Sequence, residues 1–137
     1  MDFRLKNGEK VRTTTALKAS ATVIEAGDLV AMESESGCLI KGTAASTALA
    51  WCPNGAASGE TELEVTVGND FTLVGDAENV FALTQKGTEV DLVISSTKQL
   101  IDNNASSTDV LKISVGKDAG VVGAEENVEV KINKPLF

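Results

Sequence analysis

Cys38 and Cys52 are the only thiols in the chain, and it has no histidine. Without imidazole, neither a Ser-His-Asp nor a Cys-His nucleophile nor an imidazole metal site can be assembled. Two cysteines alone do not complete a structural zinc site. They sit beside Leu39-Ile40 and Trp51, which suits either buried small hydrophobes or a disulfide. Carboxylates cluster at Glu33/Glu35, Glu60/Glu62/Glu64 and Glu125/Glu126. Paired carboxylates can hydrolyse glycosides, but such sites use aromatic sugar platforms, and this chain has one Trp and no Tyr. None of the clusters has the spacing of a calcium loop. The glycine-rich run Gly116–Gly123 contains Lys117 but lacks the Lys-Ser/Thr pair and following helix of a phosphate loop. Trp51 is a core residue or an interface anchor. No enzyme, metal or cofactor is expected from this set.

The elements holding these residues read as strands. Leu63, Val65 and Val67 alternate with Glu62, Glu64 and Thr66, giving one buried and one wet face. Gly68-Asn69-Asp70 then predicts a hairpin to Phe71–Val74. Val11–Leu17 is Thr-rich and suits an edge strand. Val23-Ile24 and Leu29–Met32 flank a turn at Glu25–Asp28, and Gly37–Lys41 is a third short run. Thr43–Trp51 reads as a turn or two of helix or as a small-residue strand. Val80–Thr84 and Val90–Ile94 suggest another hairpin, and Gln99–Ser107 a loop. Val110–Val115 and Val128–Ile132 alternate again, and Pro135 stops the last strand. Many short strands at roughly ten-residue spacing predict an all-β fold, a compact β-barrel or β-sandwich.

The 137 residues fit one domain with a self-sufficient core. Net charge is −8, which excludes a general electrostatic nucleic-acid binder. No apolar run is long enough to span a membrane as a helix. The polar start has no signal-peptide core, so synthesis in a cytoplasm is expected. Charge is uneven. Residues 1–18 carry Arg4, Lys6, Lys10, Arg12 and Lys18 against Asp2 and Glu9, residues 19–111 are strongly acidic, and residues 112–137 balance. Such a leader is attracted to an acidic partner, or is a loosely ordered terminus.

The order of pieces resembles a known group. A basic N-terminal segment leads to VIEAGDLVAM (Val23–Met32) and GCLIKG (Gly37–Gly42). FALTQKGTEVDLVI (Phe81–Ile94), DVLKISVG (Asp109–Gly116) and VEVKINKPLF (Val128–Phe137) follow. This progression is similar to the decoration, or cement, proteins on the heads of tailed bacteriophages. The resemblance implies a β-tulip-like body over residues 20–137 and an extended N-terminal arm over residues 1–19. It also implies a homo-oligomer, a trimer being favoured, on the outer capsid surface of the virion, made in the host cytoplasm. The arm would contact the major capsid protein through Arg4, Lys6, Lys10, Arg12, Thr13, Thr14, Thr15 and Lys18. Neither nucleic acid nor membrane is an expected partner. The alternative reading is a stand-alone β-sandwich binding module, of phage-fibre or adhesin type, with a carbohydrate or protein site near Trp51 and Asn54.

Overall fold

In the computed structural model, which describes residues 1–137, eleven short strands make an all-β fold. They are β1 (Phe3–Leu5), β2 (Thr13–Leu17), β3 (Leu29–Met32), β4 (Leu39–Lys41), β5 (Ala50–Trp51) and β6 (Glu62–Thr66). Then come β7 (Leu73–Gly75), β8 (Glu89–Ser95), β9 (Lys98–Asp102), β10 (Leu111–Ile113) and β11 (Val128–Ile132). A single 3-10 turn covers Leu83–Gln85, and no helix is long and apolar enough to cross a membrane. The strands form three antiparallel sheets, ordered β1-β7-β11-β10-β8-β9, β4-β3-β5 and β2-β6.

In the six-stranded sheet, register collects the apolar residues on one face. Phe3 lies opposite Gly75 and Gly75 opposite Val128, while Val130 links Leu73 to Ile113 and Leu111 links Ile132 to Val90. Apart from Gly75, all of these side chains are buried, each worth about 1.5–3 kcal/mol for a residue of this size. Gly75 leaves room for the Phe3 ring, since a Cβ there would stand 2.5 Å from Phe3 Cε1. The sheet curls until β9 meets the chain just past β7. There Ile101 N–H donates to the Asp76 carbonyl at 2.8 Å, and Glu78 N–H to the Ile101 carbonyl at 2.9 Å. The closure is barrel-like, and it leaves β9 paired on both sides.

The three-stranded sheet separates two cores. Leu29, Ala31, Leu49 and Trp51 join the larger core, whereas Val30, Ala50 and Cys52 join a smaller one with Leu63 and Val65 of β6. Burial on both sides explains why Leu29–Met32 and Leu49–Cys52 are unbroken apolar runs rather than alternating ones. Gln99 of β9, fully buried, ties the curled sheet to β3. Its side-chain amide donates to the carbonyls of Leu29 (2.8 Å) and Gly42 (3.0 Å) and accepts Leu29 N–H at 2.8 Å.

Several expectations change. Residues 1–19 do not form an extended arm, and the boundary at residue 20 separates no unit. β1 adds to the curled sheet, β2 pairs along its full length with β6, and Ala19 N–H bonds to Leu39. The cause lies in Phe3-Arg4-Leu5-Lys6, an alternation that gives Phe3 a place in the core while Leu5 packs at its margin. Asp2 is also held, its carboxylate accepting Gln99 N–H at 2.8 Å. β6 and β7 are not a hairpin, because β6 pairs with β2 and β7 with β1 and β11. The hairpin near residue 95 joins β8 to β9 instead, turning at Ser96 with φ 59°. Residues 80–84 make no strand, and Thr43–Leu49 is irregular, with only Ala50–Trp51 extended into β5. Both cysteines are free, Cys52 buried and Cys38 half-buried.

Candidate interaction face

β-alternation puts Arg4 and Lys6 of the β1 segment on the outer side of the curled sheet, opposite to Phe3 and Leu5. On β10 and β11 the same rule turns Lys112, Glu129 and Lys131 outward, because Leu111, Ile113, Val130 and Ile132 point into the core. Lys112 and Lys131 are direct cross-strand partners, and Glu89 lies on the other flank of Lys112. Lys6 continues the row, since its N–H bonds to Thr72 beside β11. Three lysines thus cross one sheet face in line.

Only part of this charge is neutralised within the molecule. Lys6 Nζ is 3.1 Å from the Glu129 carboxylate, and Arg4 Nη2 donates to Asn127 Oδ1 at 2.9 Å. Lys112 and Lys131 have no ion pair within 4.0 Å. Like charges directly opposite on neighbouring strands repel, and an anion over the pair would relieve that repulsion. Apolar groups lie among the cations. Lys112, Lys131 and Val115 line a dip of about 230 Å³, and Arg4, Lys117, Val121 and Glu129 line another of about 430 Å³. Val115 is 74% exposed and Val121 65%. At the margin, burial pushes the Asp76 carboxyl up, but Lys98 at 2.6 Å and the Asn127 N–H outweigh it and hold it below the usual range. The mixture of cations and exposed valines is suited to an acidic protein surface rather than to a small substrate.

The residues expected to bind a partner are dispersed. Arg4 and Lys6 belong to this face. Lys10 and Arg12 are exposed between β1 and β2, lining a cleft of about 410 Å³ with Asn69 and Asp70. Thr13, Thr14 and Thr15 are exposed on β2. Lys18 is 2% exposed, and its ammonium donates to the carbonyls of Ala19 and Thr22, so it is no surface contact. Lys112, Lys117 and Lys131 were hidden from a charge tally because their segment is balanced. The alternations Leu-Lys-Ile and Val-Glu-Val-Lys-Ile were the signal that could have revealed them.

The other candidates are structural. Trp51 is buried, its indole N–H shared between the carbonyls of Phe3 and Gly27 at 3.2 Å each. Asn54 donates to Glu64 at 3.0 Å. No three Cys, Asp or Glu side chains converge as metal ligands. The Gly116–Gly123 run is tied to the core at Ala119, with Gly120 beneath the Phe81 ring, while the rest of it is exposed. No protein-family model, curated protein or solved structure matches the chain.

Proposed function

We propose that this protein decorates the outer surface of a tailed-phage head and stabilises the shell, its cationic face lying on acidic loops of the major capsid protein. The observation that carries the reading is the row Lys6, Lys131, Lys112 on a protein of net charge −8. The acidic remainder disfavours packaged DNA as the partner, and the exposed Val115 and Val121 add apolar area to the contact. The sequence progression through Phe81–Phe137 supports the same assignment. Binding alone performs this role: a protein that engages only the assembled lattice shifts the shell away from dissociation by mass action. Because residues 1–19 fold into the body, the contact proposed here is the sheet face and not an arm.

The test is quantitative decoration. Heads of the phage encoding this protein should carry it at a fixed ratio to the major shell subunit, and stripped heads should rebind it to saturation. Binding should weaken with added salt, and Lys112→Glu with Lys131→Glu should lower it at least about tenfold. Absence of the protein from purified heads, together with failure of stripped heads to bind it, overturns the reading.

A further inference from the structure

β2 is an unblunted sheet edge. Over Thr13–Ala16 it has β6 on one side and no strand on the other; the outer side is occupied only at its C-terminal end, where Lys18 bridges Leu39 of β4. Val67 N–H bonds to the Arg12 carbonyl at 2.9 Å and Lys18 N–H to the Thr61 carbonyl at 2.8 Å. In an antiparallel ladder alternate residues face the same neighbour, so Thr14 and Ala16 bond towards β6 while Thr13 and Thr15 turn their backbone groups away from it. Thr13, Thr14 and Thr15 are all exposed. The stretch contains neither proline nor charge, the devices that usually protect such an edge.

We infer that two copies of this chain pair edge to edge through β2, antiparallel about a two-fold axis at Thr14. Thr13 of one copy then lies opposite Thr15 of the other, and the outward N–H and C=O groups of both residues exchange four backbone hydrogen bonds. The short Thr-Thr-Thr sequence reads the same in both directions, so no like charges meet at the seam's centre. Charge complementarity selects a second copy at its ends. The Lys18–Leu39 bridge sets the β3–β4 hairpin, with exposed Glu33 and Glu35, beside the C-terminal end of β2. Antiparallel pairing brings the partner's residues 10–12 to that end, so Lys10 and Arg12 approach Glu33 and Glu35 across both halves of the contact. Leu17, 61% exposed, lies at the same end. The result is an isologous contact joining two small sheets into one of four strands. It uses none of the residues of the lysine row and stands whether or not the protein decorates a shell.

Sedimentation velocity over micromolar to millimolar concentration, with amide exchange, tests it. The full chain should dimerise, and the Thr13 and Thr15 amides should gain protection with concentration. Thr15→Pro removes an N–H that β6 does not use, and Thr13→Lys with Thr15→Lys places like charges opposite each other only in the dimer. Each variant should raise the dimer dissociation constant about tenfold or more while its thermal melt confirms folding. A wild-type chain that stays monomeric, a mass of three chains, or a dimer unaffected by the lysine variant overturns the proposal.

Discussion

Asp91 shows how a single side chain organises a loop here. Its carboxylate accepts the N–H groups of Ser107, Thr108 and Asp109 at 2.9–3.0 Å. Burial pushes its titration up, but these donors outweigh burial and hold it below the usual carboxylate range. A carboxyl whose native value is depressed stabilises the fold above its unfolded value, near 3.9 for Asp, and loses that contribution as pH falls through the native value. Asp91→Asn should therefore lower stability by about 1–3 kcal/mol at neutral pH and flatten the acid side of the stability curve, both measurable by urea unfolding from pH 2 to 7. Asp28 behaves oppositely: burial raises it despite the Glu25 N–H and Lys41 at 3.7 Å. Neither role was legible in the sequence, because Asp91 lies inside the apolar run Val90–Ile94 and its donors come from a loop sixteen residues on.

At the level of elements, local alternation was legible and long-range pairing was not. β3, β4, β6, β10 and β11 fall within stretches where apolar spacing predicted strands. The partnership of β6 with β2 rather than β7 could not be read from Gly68-Asn69-Asp70, since a turn signal says that the chain bends and not which layer it enters. The first strand was obscured by its charges, although Phe3-Arg4-Leu5-Lys6 has a period of two. Phe3→Ala should cost about 3–5 kcal/mol in chemical denaturation and red-shift the fluorescence of the adjacent Trp51, whose indole bonds to the Phe3 carbonyl. A terminus ordered only on a partner would leave both measurements unchanged. Gly75→Val should reproduce the loss by driving a side chain into the Phe3 ring.

For the molecule as a whole, charge segregation matters more than net charge. The leader's cations went to three places, and the candidate face takes Lys112, Lys117 and Lys131 from a neutral stretch; the alternation within β10 and β11 was the signal for Lys112 and Lys131. Lys131→Glu should turn the repulsive pair with Lys112 into an attractive one. It should stabilise the isolated protein by about 0.2–1 kcal/mol, an increment that shrinks with salt in thermal melts, while weakening attachment to heads. Separation of these two effects distinguishes a face kept for binding from one kept for stability.

The pairing of Phe3 with Gly75 also bears on the order of events during synthesis. Phe3–Leu5 have no strand partner until Leu73–Gly75 has been made, and the sheet they join is complete only once Val128–Ile132 follows. Such wide separation along the chain is the hallmark of slow, millisecond-to-second folding. A nascent polypeptide stalled before Gly75 would hold Phe3 and Leu5 exposed, available to chaperones.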